Sequence, residues 1–248
     1  MSVEHRPLEL PGGGRAVFTG RAHGNLSSVG GQNAEQGVRA RERLREGLGV
    51  RRLVRGYQVH GTVVGRISEG AGRVEYEGRR PAFEDDDAKP ALEDDGAQPS
   101  FEADGHAIAA PGLAAMVLTA DCVPVVLGAH GAVAALHAGW RGLAAGVLEE
   151  GVRALRDVGG QGDIAAIVGP CAGSCCYEVG EEVHAAFEGA HRHGRLIDLR
   201  AIAHERLLAA GVAEVRDVQA CTICDERYFS HRREGPRAGR QAGLAWLS

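Results

Sequence analysis

Short apolar segments bounded by turn residues dominate the second half of the chain. Such runs are typical of strands buried within a sheet. The clearest examples are residues 113–119, 123–128, 132–137 and 164–168. Further strands are predicted at residues 16–19, 212–218, 228–232 and 242–246. The apolar pattern therefore predicts a β-rich core.

Apolar residues at helical spacing predict helices around these strands. Residues 142–158 carry such a face, formed by Leu143, Val147, Leu148, Val152 and Leu155. A second helix is expected at residues 35–48, ended by Gly49, with others at 178–187 and 200–210. Because strands and helices do not alternate regularly, the pattern predicts an α+β fold with mixed sheets.

Residues 69–103 differ in composition from the rest of the chain. Two acidic runs, EDDDAKP and LEDDG, occur there among proline, alanine and glycine. This composition is typical of a solvated loop, whereas a divalent-cation site would need a fixed backbone. No linker divides the chain elsewhere, so residues 1–248 are predicted to form a single domain with residues 69–103 as an acidic loop insertion.

The overall composition is that of a globular protein without a strong charge bias. Hydrophobic residues make up 44% and charged residues 25% of the 248 residues, and the formal net charge is -5. This balance provides no general attraction to nucleic acid or to an anionic membrane. A phosphate ligand would have to be held by local arginines or by backbone N–H groups.

The N-terminus and the cysteines indicate a cytoplasmic location. The first residues, MSVEHRPLELPGGG, lack the apolar core of a signal peptide. Nowhere do about 18 consecutive apolar residues occur, so no membrane span is predicted. All six cysteines lie between residues 122 and 224, unlike the even scatter of a secreted disulfide scaffold. We therefore expect a reducing compartment.

Two of the predicted strands bring possible metal ligands together. Cys122 lies in the segment TADCVP beside one strand, and His137 lies at the end of the next. With His60 of YQVHG they would form a His₂Cys set, and three protein ligands with an open fourth position are typical of catalytic zinc. The same residues also fit a packed thiol and two hydrogen-bonded histidines, because no short metal motif links them.

A series of motifs occurs in one order over about residues 16–247. The motifs are Gln58-Val59-His60-Gly61, Ala103-Asp104-Gly105, Thr119-Ala120-Asp121-Cys122, His137-Ala138-Gly139-Trp140-Arg141-Gly142, Gly169-Pro170-Cys171, Cys175-Cys176-Tyr177-Glu178-Val179-Gly180, Cys221-Thr222 and Ser230-His231-Arg232-Arg233. This ordered set resembles the YfiH family, also called the polyphenol oxidase or laccase-domain family. TADC together with HAGWRG is its most specific part.

The resemblance implies a four-layer α/β/β/α fold and a zinc ion held by His60, Cys122 and His137. It also implies a purine nucleoside phosphorylase that takes phosphate and adenosine, inosine, guanosine or methylthioadenosine, with adenosine deaminase activity as a companion. Some bacterial members are instead described as peptidoglycan editing factors that act on a muropeptide precursor. The residues also fit a metal-free cysteine hydrolase using Cys122 and His137, or a non-enzymatic zinc-binding protein.

Several residues are predicted to complete the catalytic and substrate-binding set. Asp121 is expected to orient a ligating histidine or to carry a proton, and it also fits a residue that caps a turn. Arg141 and Arg232 are candidates for phosphate contact, because guanidinium groups suit phosphate oxygens, and Arg240 is a further candidate that also fits a surface salt bridge. Trp140 could stack on a purine.

Two further substrate-binding residues, Asn25 and Arg41, follow from the resemblance. They belong to a region that helps to wall the family's pocket. The segment GNLSSVGGQN is shorter here than in the family, and Gly31-Gln32 stands where Gly-Asp is usual.

The laccase label can be tested against the residues. A multicopper oxidase needs several His-x-His pairs, whereas this chain has one, His191-Arg192-His193. A thiolate with imidazoles would bind Cu(I) as readily as zinc, so copper is expected only as an adventitious metal.

The remaining cysteines allow a second site. Cys171, Cys175 and Cys176, with Cys221-x-x-Cys224, could hold a structural zinc ion. The family pattern instead treats them as packed thiols.

Overall fold

The structure, a computed structural model, describes residues 7–27, 33–70, 73–77 and 101–248. Its strands are β1 (Leu8–Glu9), β2 (Gly14–Phe18), β3 (Arg52–Val54), β4 (Val64–Gly70), β5 (Arg73–Glu77), β6 (Gly105–Ile108), β7 (Leu113–Thr119), β8 (Val123–His130), β9 (Ala132–Ala138), β10 (Gln161–Val168), β11 (Arg192–His193), β12 (Leu196–Ile197), β13 (Glu214–Asp217) and β14 (Gln241–Leu247). Its α-helices are α1 (Asn33–Leu48), α2 (Trp140–Ala145), α3 (Val147–Asp157), α4 (Glu181–Ala186), α5 (Leu199–Ala209) and α6 (His231–Glu234).

Most of the strands belong to two mixed sheets. The five-stranded sheet has the order β1-β2-β14-β7-β3 and is antiparallel except for the β3–β7 pair. The seven-stranded sheet has the order β13-β10-β8-β9-β6-β4-β5, with parallel pairing of β10 with β13 and of β4 with β6. Strands β11 and β12 form a separate two-stranded sheet.

Three hydrophobic clusters separate four layers. Helix α1 covers the five-stranded sheet with Ala40 and Leu44. The two sheets face each other across a cluster that contains Val117 and Val126. Helices α3 and α5 cover the seven-stranded sheet, with Leu155 in that third cluster. The resulting α/β/β/α order confirms the predicted four-layer α+β fold with mixed sheets.

The central strands are apolar along most of their length because both of their faces are buried. In β9, Ala134 and Leu136 belong to the helix-covered cluster, whereas Val133 and Ala135 belong to the cluster between the sheets. Full burial of a side chain such as leucine stabilises a fold by about 1.5–3 kcal/mol relative to exposure. This double coverage explains the continuous apolar runs in the sequence.

The structure confirms most of the predicted elements and corrects three of them. The helix expected at residues 142–158 is two helices, because Gly146 adopts a left-handed φ of 99° between α2 and α3. The helix expected at residues 178–187 is confined to α4. The strand expected at residues 228–232 is wrong, since the Ser230 hydroxyl accepts the Arg233 N–H and starts α6 there.

The predicted acidic loop is also partly corrected. Its first residues form an antiparallel hairpin, in which β4 reaches Gly70 and β5 runs from Arg73 to Glu77. At its other end Phe101 is buried and Glu102 bridges to Tyr57. Both acidic runs lie outside the described residues. None of the helices in the described ranges has both the length and the apolar character that crossing a membrane requires.

Candidate active site

The β8–β9 hairpin brings two of the predicted metal ligands to one end of the seven-stranded sheet. Cys122 immediately precedes β8, and His137 is the second-last residue of β9. The antiparallel register pairs Pro124 with His137 and Val123 with Ala138. Cys122 and His137 therefore meet at the open end of the hairpin, although many residues separate them along the chain.

The third predicted ligand, His60, reaches this end from the loop between β3 and β4. Its backbone has a left-handed φ of 60°, a conformation that residues other than glycine adopt rarely. The His60 Nε2 atom lies 3.7 Å from Cys122 Sγ, and the rings of His60 and His137 meet edge to face. One ligand atom from each of the three residues lies within 4.8 Å of the other two.

A buried carboxylate, Asp104, holds the two histidines in place. Its oxygens accept backbone N–H groups from Val59, His60 and Gly61 at 3.2, 2.9 and 2.7 Å. The Asp104 Oδ1 atom also accepts the Nδ1–H group of His137 at 2.8 Å. This bond leaves His137 Nε2 available as a ligand atom, and such carboxylate–histidine pairs are usual around protein-bound zinc.

Glycines in the HAGWRG motif let the His60 loop approach closely. A Cβ atom on Gly139 would lie 2.4 Å from His60 Cδ2 and 3.3 Å from Cys122 Sγ. A Cβ atom on Gly142 would lie 2.6 Å from the carbonyl oxygen of Gly61. Neither residue has a positive φ, so the structural requirement for glycine at these positions is space.

The donor set has the composition that a zinc or Cu(I) ion prefers. Two imidazoles and one thiolate provide three ligands, and a carboxylate orients one of the imidazoles. Within the described residues, this is the one cluster of three or more possible ligands that contains histidine. The chain can therefore hold a single metal ion here, but these residues offer no copper cluster built on histidines.

The ligand residues carry opposite charges when no metal ion is present. Burial raises the pKa of the Cys122 thiol, but His137 and His60 outweigh burial and bring this pKa to about 6. Burial lowers the pKa of His137, whereas Cys122 and Asp104 raise it to about 9. At neutral pH the pair is therefore a thiolate and an imidazolium, and metal binding would release the imidazolium proton.

Asp121 does not contact either histidine ligand, contrary to one sequence-based expectation. Its backbone has a left-handed φ of 89°. The carboxylate accepts hydrogen bonds from Thr222 Oγ1 at 2.6 Å, Ser230 Oγ at 3.1 Å and the Arg232 N–H at 2.7 Å. Asp121 thus joins the start of β8 to the start of α6, and Asp104 has the orienting contact expected of Asp121.

The ligand set lies in a cavity of about 530 Å³. Its lining residues are Ser27, Arg55, Gly56, Tyr57, Gln58, His60, Leu118, Thr119, Ala120, Asp121, Cys122, His137, Trp140, Arg141, Tyr177, His231, Arg232 and Arg240. A neighbouring cavity of about 350 Å³ shares Trp140, Tyr177 and Arg232 with it. The structure therefore brings three of the predicted substrate-binding residues, Trp140, Arg141 and Arg232, to the same cavity as the ligand set.

The other two predicted substrate-binding residues have structural contacts. The Asn25 side-chain oxygen accepts the backbone N–H groups of Ser27 and Arg240 at 3.0 and 2.8 Å. Arg41 is 1% exposed and donates to the Leu26 carbonyl at 2.8 Å. Neither residue lines the cavity, and both hold the backbone of the segment beside it.

Several residues of the site were missed in the sequence-based prediction. Asp104 and Tyr177 belong to motifs that were recognised without a role being assigned. Gln58 precedes the His60 loop, and its side-chain amide bonds both backbone groups of Leu118 at 2.8 Å. Their roles depend on contacts between distant segments, so no spacing in the sequence could reveal them.

Comparison with known proteins identifies the family. The family model described as multi-copper polyphenol oxidoreductase laccase matches residues 14–248, and the chain belongs to this family. A Neisseria meningitidis crystal structure superposes with a TM-score of 0.77 at 30% identity, covering 98% of this chain and 99% of that one. YfiH of Bacillus licheniformis superposes with a TM-score of 0.73 at 25% identity, covering 95% and 93%. These matches confirm the YfiH resemblance.

Curated relatives carry a more specific name. A Xylella fastidiosa protein named purine nucleoside phosphorylase is 45% identical over 152 residues, which are 55% of this chain and 57% of the relative. Escherichia coli YfiH, also named purine nucleoside phosphorylase, is 41% identical over 150 residues, which are 55% and 60%. The chain thus spans less than two thirds of the length of these relatives.

The first prediction concerns Asp104. Asp104→Asn replaces an acceptor oxygen with an NH₂ group that would face backbone donors or His137, so we expect metal affinity at the ligand set to fall about 10- to 100-fold. Titration of metal-stripped protein with metal measures this affinity. The binding event that belongs to the ligand set is the one that Cys122→Ala lacks. Asp121→Asn is the matched control and should keep its affinity. Unchanged affinity in folded Asp104→Asn would contradict the assigned role.

The second prediction concerns the ionisation of Cys122. In metal-stripped protein, alkylation of Cys122 by iodoacetamide should reach half of its maximal rate near pH 6, because the thiolate predominates above that pH. His137→Gln removes the positive charge and should move the midpoint upward. Peptide mass mapping at each pH follows Cys122 separately from the other cysteines. A midpoint near 9, the ordinary value, would refute the ion pair.

Proposed function

We propose that the protein is a zinc-dependent purine nucleoside phosphorylase, acting on adenosine, inosine, guanosine and methylthioadenosine, with adenosine deaminase activity at the same site. One observation carries the proposal: a single cavity of about 530 Å³ contains the His60, Cys122 and His137 set, an aromatic wall and several guanidinium groups. The cavity has the size of a small-molecule site. The names of the curated relatives support the same reaction class.

Trp140 and Tyr177 provide apolar surface for the purine ring. Both residues line the cavity, and both rings carry a guanidinium group on one side. Burial raises the pKa of Tyr177 to about 12, so its hydroxyl stays protonated at neutral pH and can donate a hydrogen bond. A flat heteroaromatic ring with polar edges suits such a wall.

Arg141 and Arg232 are the candidates for phosphate binding. The Arg141 guanidinium lies 4.2 Å from the centre of the Trp140 ring, and it pairs with no carboxylate among the described residues. The Arg232 side chain lies over Tyr177 and donates to the Glu178 carbonyl at 2.6 Å. Each group is held in position without having its charge neutralised by an acidic side chain, which suits it for an incoming anion.

Phosphorolysis requires a phosphate oxygen to form a bond with ribose C1′ as the bond from C1′ to the purine nitrogen breaks. The electron pair of the broken bond stays on the purine, which must then receive a proton. Tyr177 and His231 are two cavity side chains outside the ligand set that could donate a proton to the ring. The arginines would hold the nucleophile on the C1′ side, which lowers the barrier by orientation.

Zinc at the ligand set would act as a Lewis acid that polarises an oxygen of phosphate or of water. The chain's part is to hold His60 and His137 through Asp104 and to keep Cys122 as a thiolate. Deamination differs in the attacking group, in the carbon attacked and in the leaving group, since water adds to the ring carbon that bears the amine and ammonia leaves. One ligand set could therefore serve both activities.

A second candidate, a metal-free cysteine hydrolase, is favoured by one observation. Cys122, His137 and Asp104 follow the order of a nucleophile, a base and an orienting carboxylate, with the Asp104–His137 bond at 2.8 Å. The thiolate form of Cys122 would be the nucleophile. The two candidates differ in their response to chelators, because only the phosphorylase would lose activity when metal is stripped and regain it with zinc.

The third prediction is the direct test of the proposed function. Protein incubated with adenosine and inorganic phosphate should release adenine and ribose 1-phosphate, together with inosine from deamination, as resolved by liquid chromatography. Cys122→Ala should lose both activities. Cys171→Ala, which removes a buried thiol that does not line the cavity, is the control and should keep them.

Two outcomes would contradict the proposal. The first is the absence of product from all four purine nucleosides with zinc-loaded protein. The second is amino-acid release from a muropeptide precursor by the same preparation, which would favour the editing activity instead.

The fourth prediction concerns the phosphate contact of Arg141. Arg141→Gln should raise the phosphate KM of phosphorolysis about 10- to 100-fold, the equivalent of one charge-assisted hydrogen bond. Adenosine deamination needs no phosphate and should keep its rate in the same variant. Arg153→Gln, at an exposed position on α3, is the control for general loss of charge. Equal losses in both activities would assign Arg141 to the nucleoside rather than to phosphate.

A further inference from the structure

Four cysteines converge on a second site outside the cavity lining. Cys175 and Cys176 lie in the segment between β10 and α4, and Cys221 and Cys224 lie in the segment between β13 and α6. The four sulfur atoms all lie within 4.8 Å of one another. Two segments that are distant in sequence thus contribute two thiols each.

The sulfur separations are those of a compact thiol cluster. Cys176 Sγ lies 2.7 Å from Cys224 Sγ and 3.5 Å from Cys175 Sγ, and Cys175 Sγ lies 3.4 Å from Cys224 Sγ. Four thiolates bound to one zinc ion at about 2.3 Å would have sulfur atoms about 3.8 Å apart. All three separations are shorter than this value, so the side chains would have to move apart to form a tetrahedral set.

Backbone hydrogen bonds hold the two cysteine-bearing segments together. The Thr222 N–H donates to the Cys171 carbonyl at 2.9 Å, and the Cys171 N–H donates to the Ala220 carbonyl at 3.3 Å. The Gly173 N–H donates to Cys221 Sγ at 3.2 Å, a contact that favours the thiolate. A Cβ atom on Gly173 would lie 3.3 Å from both Cys175 Sγ and Cys221 Sγ, so the absence of a side chain leaves room for the sulfur atoms.

We propose that Cys175, Cys176, Cys221 and Cys224 bind a structural zinc ion. Four thiolates close the coordination shell, which is the pattern of structural rather than catalytic zinc. Cys221 and Cys224 have the C-x-x-C spacing common in such sites, whereas Cys175 and Cys176 are adjacent, so the segments must be brought together by the fold. Cys171 is not a member: it is buried, and Arg200 Nη2 lies 3.5 Å from its sulfur.

The site would join two segments that wall the catalytic cavity. Cys176 is followed by Tyr177, which lines that cavity. Cys221 is followed by Thr222, whose hydroxyl donates to Asp121 at 2.6 Å. A metal ion at the cluster would therefore fix the positions of Tyr177 and Asp121 relative to each other, without contacting a substrate.

The fifth prediction tests the cluster separately from the cavity site. Wild-type protein purified under reducing conditions should contain about two zinc ions per chain by elemental analysis, and Cys122→Ala should contain about one. Adding Cys224→Ser to Cys122→Ala should remove the second ion, and adding Cys175→Ser should do the same. Cys122→Ala with Cys171→Ala is the matched control, and it should keep one ion.

Spectroscopy and stability give readouts that need no enzyme activity. Cobalt-loaded Cys122→Ala should show the intense sulfur-to-metal charge transfer of a four-thiolate site. Chelation should lower the Tm of Cys122→Ala but leave that of Cys122→Ala/Cys224→Ser unchanged, because only the former has an ion to lose. Circular dichroism establishes that each variant is folded, and the exposed Cys175 gives a second variant if Cys224→Ser does not fold.

Two results would overturn the proposal. One is folded Cys122→Ala that contains no metal after purification and binds none on addition of zinc. The other is a Cys176–Cys224 disulfide in protein isolated under reducing conditions, detected as a mass lower by two hydrogen atoms. Either result would assign the cluster to thiol packing or to redox chemistry.

Discussion

The candidate active site depends on the buried charge of Asp104. No lysine or arginine among the described residues pairs with this carboxylate, which is shielded from water. An isolated buried charge would be strongly unfavourable, so its stability rests on three backbone N–H donors and the His137 ring. Those donors include His60 itself. One group that is not a predicted metal ligand therefore orients both histidines that are.

The sheet explains why these groups meet. Asp104 immediately precedes β6, Cys122 immediately precedes β8, and His137 lies near the end of β9, which runs between those two strands. Antiparallel pairing of β9 with both neighbours brings all three residues to the same end of the seven-stranded sheet. The His60 loop then packs against this end of the sheet, because Gly139 and Gly142 have no side chains that would obstruct it. Stability of the layered core and geometry of the site are thus properties of the same strands.

A second set of contacts holds the part of the cavity wall that contains Asp121 and Arg232. Asp121 connects the start of β8 to Thr222, Ser230 and Arg232, and the four-cysteine cluster includes Cys221, the residue before Thr222. The two clusters differ in chemistry: three ligands leave an open position for a reacting group, and four thiolates leave none. The family's description refers to several copper ions, but the histidine-containing donors found in the described residues suffice for one metal ion.

The continuous apolar runs were sufficient to predict an α+β core with mixed sheets, because strand period and residue type are local properties. The four-layer order and the His60, Cys122 and His137 set were predicted from the family resemblance that the ordered motifs carry. Trp140, Arg141 and Arg232, which the sequence predicted to bind substrate, line the cavity. Only the tertiary structure decided that Asp104 rather than Asp121 contacts a ligating histidine, that Arg41 and Asn25 support the backbone, and that residues 228–232 start a helix. It also decided which cysteines form the second cluster. Each of these outcomes depends on hydrogen bonds or contacts between segments far apart in the chain, and such contacts leave no periodic signal in the sequence.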